Sequence, residues 1–178
     1  MPSIVTIGGS PSATSKSAAL LGLVRARLET FGITTAGVNV RDLPAEDLLF
    51  ARSSALTIAS AVELVASARG VVVATPIYKA AYSGILKVFL DLLPQDALAG
   101  KVVLPIATGG SLAHMLAIDY ALRPVLSALG STHILGGVYL QDSQFINAPG
   151  AEVQLEGAAD DRLNSTIKQL AGLLTSRG

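Results

Sequence analysis

The sequence predicts an α/β protein with a doubly wound, five-stranded parallel sheet and helices on both faces. Short apolar runs alternate five times with segments of helical periodicity, which is the order that consecutive βαβ units produce. One of these runs, at 70–75, is rich in β-branched residues and does not alternate with polar ones, as is typical of a central strand covered on both faces. Because βαβ crossovers are right-handed, the helices fall on both sides of the sheet.

The elements follow from apolar spacing and from turn residues. We predict strands over 4–7, 35–40, 70–75, 101–107 and 133–140. The first helix carries an apolar face formed by Leu20, Leu21, Val24, Leu28 and Phe31. Further helices are predicted over about 58–69, 83–93, 112–129 and 158–174, with loops over 41–52 and 141–157. At 178 residues, 51% of them hydrophobic, the chain is predicted to form a single domain over 1–178.

Composition excludes several classes of function. The 13 basic and 13 acidic residues balance, and no Lys/Arg cluster appears, so neither nucleic acid nor an anionic membrane is indicated as a partner. The absence of cysteine excludes disulfides, thiolate metal sites and thiol catalysis. His114 and His133 lie far apart without a supporting acidic pattern, so no metal site is predicted. Without a signal segment or a long apolar run, we expect a soluble cytoplasmic protein.

The loop after the first strand is rich in hydroxyl groups and opens a helix, an arrangement that suits an anion. Its candidate donors are Ser10, Ser12, Thr14, Ser15 and Ser17. The adjacent glycines at 8 and 9 match neither the Walker loop nor the spaced-glycine dinucleotide pattern, so a phosphomonoester is the predicted ligand. A turn that only caps the helix explains the same hydroxyls, and the loop by itself leaves both interpretations open.

Two further loops follow strands of the predicted sheet, at 75–83 and 108–114. In the first, Pro76 fixes the backbone, and Tyr78 either stacks beside a planar ligand or packs under the loop. In the second, Gly109 and Gly110 let a flat ring approach main-chain N–H groups. Together the three loops predict a pocket for a ring that carries a phosphate.

At these residues the chain resembles the NADPH-dependent FMN reductases of the flavodoxin-like superfamily, and in particular the alkanesulfonate-system branch. The resemblance extends over about 3–144. It is carried by Gly-Ser-Pro at 9–11, Pro-Ala-Glu-Asp-Leu-Leu at 44–49, Ala-Thr-Pro-Ile-Tyr-Lys-Ala-Ala-Tyr-Ser-Gly at 74–84, Ala-Thr-Gly-Gly at 107–110 and Asp-Tyr-Ala-Leu at 119–122. It implies a flavodoxin-like fold and hydride transfer from NADPH to FMN, with no catalytic side chain required. It also implies that reduced FMN is supplied to a separate FMNH2-dependent monooxygenase in organosulfur assimilation.

The resemblance also implies roles for individual residues. Ser10, Ser15 and Ser17 would bind the FMN phosphate. Pro76, Ile77, Tyr78 and Lys79 would line the isoalloxazine and ribityl chain, and Thr108, Gly109, Gly110 and Ser111 would cup the ring. Ser12 stands where the family usually has Arg, so flavin binding is expected to be weaker unless Lys16 compensates. Lys79 contacts FMN or the NADPH phosphate, or is a solvated loop charge.

The helix predicted around Tyr120 contains Pro124, which lacks an N–H and clashes with the carbonyl of Tyr120, so the helix should widen or kink. In the branch that this chain resembles, the corresponding helix has a π-type insertion, and its Tyr lies at a subunit interface near the flavin. The resemblance therefore implies a homotetramer built as a dimer of dimers, with Tyr120 affecting assembly and flavin exchange. A core tyrosine beside an ordinary proline kink is the other interpretation.

Two alternative functions use the same fold. A flavin-dependent quinone or azo-compound reductase would share the hydride chemistry and differ only in the electron acceptor. A flavodoxin-like electron carrier would hold FMN tightly and transfer single electrons, but such carriers are commonly acidic, whereas this chain has no net charge.

Overall fold

A central sheet organises the chain in the computed structural model, which describes residues 3–146 and 153–175. Its strands are β1 (Ile4–Gly8), β2 (Thr35–Asn39), β3 (Gly70–Tyr78), β4 (Ala81–Tyr82), β5 (Val102–Gly109), β6 (His133–Ile134) and β7 (Val138–Gln141). The helices are α1 (Lys16–Glu29), α2 (Ala45–Leu49), α3 (Leu56–Ser67), α4 (Gly84–Leu90), α5 (Arg123–Ala128) and α6 (Gly157–Thr175).

The strands run in the order β2-β1-β3-β5-β6, and β7 continues along β5 beyond β6. All of these pairings are parallel, as predicted. The order reverses between β1 and β3, which is the switch point at which doubly wound sheets bind ligands. The register pairs Gly8 with Ala74 and Pro76 with Thr108, so the loops after β1, β3 and β5 leave the same edge of the sheet.

The sheet has seven strands, so the prediction of five was wrong in two places. The predicted last strand is divided into β6 and β7. The guanidinium of Arg123 donates to the carbonyls of Ile134 and Leu135 at 3.3 and 3.1 Å where β6 ends. The additional strand β4 pairs antiparallel with the end of β3 and forms a hairpin.

Two apolar cores cover the two faces of the sheet. On one face, α1 and α6 pack with Leu20, Val24 and Leu163 against alternate strand residues such as Val72 and Leu104. On the other face, α3, α4 and α5 supply Ile58, Val65, Leu86, Phe89 and Leu126, which pack against Val71, Val73 and Val103. Each fully buried leucine or valine contributes about 1.5–3 kcal/mol. Burial on both faces explains why the run at 70–75 is apolar without alternation.

Several predicted elements differ from the structure. Phe31 lies beyond the end of α1 and is exposed, because the chain turns there through Gly32 at φ 71°. The predicted loop at 41–52 contains α2, which begins after Pro44. The helix predicted over 83–93 is the shorter α4. The closing helix is confirmed as α6, and part of the predicted loop at 141–157 falls outside the described residues.

The helix predicted over 112–129 is divided into three segments, of which the last two are continuous. A 3-10 turn (Leu112–His114) is followed by a π-helix (Ile118–Leu122) and then by α5. The amide of Arg123 donates to the carbonyl of Ile118, five residues earlier, and Pro124 stands in the first turn of α5, where its missing N–H is tolerated. The predicted widening of the helix is therefore confirmed. None of the helices within the described ranges is long and apolar enough to cross a bilayer.

Candidate functional site

Hydrogen bonds join the loops that follow β1 and β3. The N–H of Gly9 donates to the carbonyl of Ala74 at 2.8 Å, and the buried hydroxyl of Ser83 donates to the carbonyl of Gly9. The N–H of Ser83 donates to Thr75 Oγ1 at 3.1 Å. Because Ser83 also caps α4, one side chain fixes the first loop, the second loop and a helix together.

Gly9 is required at this junction by packing. A Cβ built on Gly9 would lie 2.7 Å from the Cβ of Leu86, closer than two such carbons approach. Gly9 therefore serves the contact between the first loop and α4, whereas a Cβ on Gly8 would lie 3.0 Å from Asn39 Oδ1. This is a different use from the spaced glycines of a dinucleotide fingerprint.

The serines predicted to bind phosphate lie together at the start of α1. Ser15 caps the helix by accepting the N–H of Ala18 at 3.1 Å, and its hydroxyl lies 3.3 Å from that of Ser17. Ser10 and Ser17 are buried, whereas Ser12 is exposed and donates its N–H to Ser10 Oγ at 3.2 Å. Since Ser10 Oγ accepts in this bond, its own proton is available to a ligand. The capping interpretation thus holds for Ser15. The hydroxyls of Ser10 and Ser17 remain as hydrogen-bond donors to a ligand.

Lys16 points away from this loop toward the segment after β7. Its ammonium donates to the carbonyl of Asp142 at 2.8 Å, lies 3.3 Å from the carboxylate of Asp142, and stands 5.2 Å from the centre of the Phe145 ring. The cation that was expected to replace the missing Arg is therefore already engaged. Sequence reasoning missed Arg41, which with Ser10 and Asn39 lines a cavity of about 240 Å³ beside the first loop.

The second loop turns back as a tight hairpin. Pro76 and Ile77 are buried at the end of β3, whereas Tyr78 and Lys79 are exposed. Lys79 and Ala80 adopt φ 50° and 66°, the left-handed conformation that a two-residue hairpin of type I′ requires. Two consecutive residues other than glycine in this region are uncommon, and such conformations cluster at ligand sites. The 51% exposure of Tyr78 argues against the interpretation that it packs under the loop.

The third loop accepts a hydrogen bond from a tyrosine that sequence reasoning missed. Tyr139, on β7, donates its hydroxyl to the carbonyl of Ser111 at 2.6 Å. Thr108 is buried, and Gly110 is exposed on the loop surface. Ser111 Oγ accepts the N–H of Ala113 at 3.3 Å and begins the 3-10 turn. The signal that could have identified this contact is a tyrosine in an apolar strand that ends at the same edge as the Gly-Gly loop.

Among the residues that hold the third loop, Tyr139 has a shifted pKa. Burial raises the pKa of the Tyr139 phenol, and the nearby carboxylate of Asp142 raises it further, while the hydrogen bond to Ser111 acts in the opposite direction. The phenol therefore remains a donor at neutral pH. Within residues 3–146 and 153–175, no group of three or more histidine or acidic side chains is arranged to hold a metal.

The π-helix presents Tyr120 to solvent, with 79% of the residue exposed. Leu112, Met115 and Leu116 are also exposed just before it. Arg123 secures the segment from its other end, because its guanidinium contacts Asp119 at 3.1 Å in addition to the carbonyls at the end of β6. Tyr120 is thus no core tyrosine, and no residue in 3–146 or 153–175 covers the apolar surface around it.

Fold and loops together define a flavodoxin-like α/β protein. A solved flavodoxin from Archaea superposes with a TM-score of 0.63 at 11% identity, covering 98% of this chain and 99% of its own, which supports the fold alone. The family model for NADPH-dependent FMN reductase matches residues 2–145. The chain belongs to the NADPH-dependent FMN reductase family, and it is an oxidoreductase that uses FMN and NADPH.

Individual relatives agree with this assignment. The chain is 50% identical to an "FMN reductase (NADPH)" of Pseudomonas putida, over 98% of this chain and 89% of the relative. It is 44% identical to an "FMN reductase (NADPH)" of Escherichia coli strain K12, over 98% and 97%. Among solved structures, the apo form of an NADH:FMN oxidoreductase named EMOB has a TM-score of 0.86 at 43% identity, covering 96% of this chain and 89% of that one.

Proposed function

We propose that this chain reduces FMN with NADPH at the carboxyl edge of the sheet and releases reduced FMN to a separate FMNH2-dependent monooxygenase of organosulfur assimilation. This placement rests on the observation that the three loops lie together. Ser83 hydrogen-bonds to the first loop and to Thr75 in the second, and the register of β3 and β5 brings the third loop beside the second. The first loop offers hydroxyl donors, the second an exposed aromatic ring, and the third an exposed glycine main chain. A phosphate ester of a flat ring system matches that order of groups.

The residues present fit such a cofactor. In this proposal Ser10, Ser15 and Ser17 and the first turn of α1 bind the FMN phosphate, because hydroxyl and N–H donors at a helix start favour an anion. Ser12 contributes its exposed hydroxyl, and Lys16 joins them only if it leaves Asp142. A Cβ built on Gly110 would meet only Asp142 Oδ2 within 4 Å, at 3.6 Å, which leaves room for a ring beside this residue.

The chain's own contribution to the reaction is orientation and electrostatics. When bound, FMN accepts a hydride from NADPH, and no protein acid or base is needed for that step. Main-chain N–H groups of Gly109, Gly110 and Ser111 stabilise the negative charge that develops on the ring. Pro76, Ile77, Tyr78 and Lys79 line the ring and the ribityl chain, Thr108 closes the base of the site, and the exposed side of the loops admits the nicotinamide.

The phosphate placement is tested by comparing FMN with riboflavin in a fluorescence titration. Riboflavin lacks the phosphate, so we expect it to bind at least ten-fold more weakly, since one charge-assisted hydrogen bond contributes about 1.5–3 kcal/mol. Ser10→Ala with Ser17→Ala should weaken FMN and leave riboflavin unchanged. Equal dissociation constants for the two flavins in the wild-type protein would contradict the placement.

Electron acceptors distinguish the proposed supply of reduced FMN from the alternatives. Steady-state kinetics with free FMN, a quinone and an azo dye, each with NADPH and NADH, should give the highest kcat/KM for FMN with NADPH. A higher value for the quinone or the dye would assign the enzyme to those reductases. Tight retention of FMN with only one-electron reduction would indicate a carrier instead.

We also propose that residues 1–178 act as a single cytoplasmic FMN-binding domain and assemble as a homotetramer, a dimer of dimers. Support for assembly comes from the exposed apolar side chains Leu112, Met115, Leu116 and Tyr120, which lie close together in sequence at the π-helix. Apolar groups at this density on a surface commonly mark an interface.

A further inference from the structure

Tyr139 is a buried residue that has no direct role in the proposed flavin chemistry. It is 7% exposed, and its hydroxyl reaches from β7 to the carbonyl of Ser111 in the loop after β5. The 2.6 Å separation is short for a hydrogen bond between a hydroxyl and a carbonyl. This contact fixes a loop carbonyl directly beside the N–H groups proposed to face the flavin.

The loop packs directly against the hydroxyl of Tyr139. A Cβ built on Gly109 would stand 2.6 Å from the hydroxyl oxygen of Tyr139, so the main chain of Gly109 rests on that oxygen. The position of the Tyr139 hydroxyl therefore explains why residue 109 is a glycine. The strand register pairs Tyr139 with Ala107, two residues before Gly109, which brings the ring under the start of the loop.

The Tyr139 ring is itself held by a small apolar cluster. Its other members are Ile77 from β3, Ala107 from β5, and Ala117 and Ile118. Ile118 begins the π-helix and is packed so closely on Gly137 that a Cβ there would lie 2.5 Å from its Cγ2. Tyr139 thus stands between the π-helix and the loop, and its phenol stays protonated because burial and Asp142 raise its pKa.

We propose that Tyr139 is a positioning residue for the flavin ring: its hydroxyl fixes the Ser111 carbonyl and so aligns the main-chain N–H groups of 109–111 with the isoalloxazine. The inference rests on the proposed placement of the ring on this loop. Tyr139 acts through the loop and does not contact the flavin phosphate, so its effect belongs to the ring half of the ligand.

The test is Tyr139→Phe in the full chain, titrated with FMN and with riboflavin. In this variant the flavin itself must order the freed loop, and a cost equal to one hydrogen bond predicts about five-fold weaker binding of both flavins by the same factor. At saturation, the absorption bands of bound FMN should lie nearer those of free FMN than they do in the wild type. Tyr82→Phe is the matched control, because that hydroxyl makes no hydrogen bond within the described part of the chain; it should leave both affinities and the spectrum unchanged.

Gly110→Ala separates failure of this inference from failure of the ring placement. A Cβ at Gly110 meets only Asp142 Oδ2, at an ordinary 3.6 Å, so alanine fits the protein and intrudes only on a bound ring. If Gly110→Ala weakens both flavins while Tyr139→Phe has wild-type affinities and spectrum, the positioning role is refuted and the placement stands. If neither variant changes binding, the placement fails and the inference fails with it. A wild-type protein that neither binds nor reduces FMN would overturn the proposed function itself.

Discussion

Ser12 occupies the position at which the resembled family carries Arg, and the structure leaves that position open. Its side chain is exposed, and among the described residues its hydroxyl has one hydrogen-bond partner, Thr14 at 3.4 Å. Lys16, the nearest candidate for compensation in sequence, is bound to Asp142. The loop therefore relies on hydroxyl and main-chain donors for an anion, while Arg41, which lines the cavity beside it, pairs with Asp42 at 3.4 Å.

We expect Ser12→Arg to tighten FMN binding about ten-fold, because a charge-assisted hydrogen bond to phosphate is worth roughly 1.5–3 kcal/mol and part of it is lost to solvent at an exposed position. Ser12→Gln, which is long but uncharged, is the control and should have little effect. Fluorescence titration at low and high salt measures both variants, and the gain should shrink as salt increases. Unchanged affinity for Ser12→Arg would show that the existing donors already satisfy the phosphate.

Gly9 offers a second prediction at the residue scale. Gly9→Ala should destabilise the fold by about 1–3 kcal/mol, because its Cβ would overlap Leu86 and force the first loop from α4. Gly22→Ala is the matched control: nothing lies within 4 Å of a Cβ there, and alanine in the interior of α1 should stabilise by up to about 1 kcal/mol. Urea unfolding measures both changes. Equal free energies of unfolding for Gly9→Ala and the wild type would contradict the packing argument.

At the scale of elements, Arg123 links the π-helix to the interruption between β6 and β7. Its guanidinium reaches Asp119, four residues earlier, and two carbonyls that a continuous strand would leave to other partners. The residues at 135–137 depart from regular strand geometry, and the π-helix packs on them through Ile118 and Gly137. The widened helix turn and the divided strand are thus two parts of one arrangement.

Arg123→Met should destabilise the protein by about 2 kcal/mol, because two backbone carbonyls lose a charged donor. Lys87→Met is a well-matched control. Lys87 forms the same kind of i,i+4 pair with Asp91 on an exposed helix surface, and an exposed pair of that kind contributes little to stability. Chemical denaturation compares the two variants. A loss for Arg123→Met no larger than that for Lys87→Met would assign Arg123 to an ordinary surface ion pair.

On the scale of the whole molecule, assembly and flavin retention are expected to be linked through the π-helix. Tyr120 is exposed, yet its helix packs through Ile118 against Tyr139, which holds the loop proposed to cup the ring. A change at the surface of the assembly therefore has a short physical route to the flavin site. The route consists of packed side chains and one hydrogen bond.

Tyr120→Ala should weaken the tetramer and change how firmly FMN is retained, while the sheet and its helices remain folded. Light scattering measures assembly against the 18.2 kDa of one chain, and flavin absorbance after gel filtration measures retention. Tyr120→Phe keeps the apolar ring, so it separates the hydroxyl from the packing surface. A Tyr120→Ala protein that stays tetrameric and releases and reduces FMN like the wild type would leave Tyr120 without a role in assembly.

The sequence by itself determined the parallel α/β arrangement and the three loops at one edge of the sheet. Both depend on local signals: the β-branched run at 70–75 identified a doubly covered strand, and the Gly-Ser-Pro and Gly-Gly turns identified strand ends. Pro124 likewise predicted the distorted helix, because its missing N–H affects the hydrogen bonding of the same helix turn. The same signals overestimated regularity, since they joined β6 with β7 and extended one helix over 112–129.

Only the tertiary structure decided which side chains meet at the site. Lys16 is engaged by Asp142, 126 residues away, and Tyr139 holds Ser111 across 28 residues. Arg123 reaches the carbonyl of Ile134, at the end of β6, from 11 residues away in another element. Periodicity and turn chemistry report on neighbours within a few residues. Contacts of long range are fixed by how the helices pack on the sheet, so they become visible only when the two faces and their shared edge are assembled.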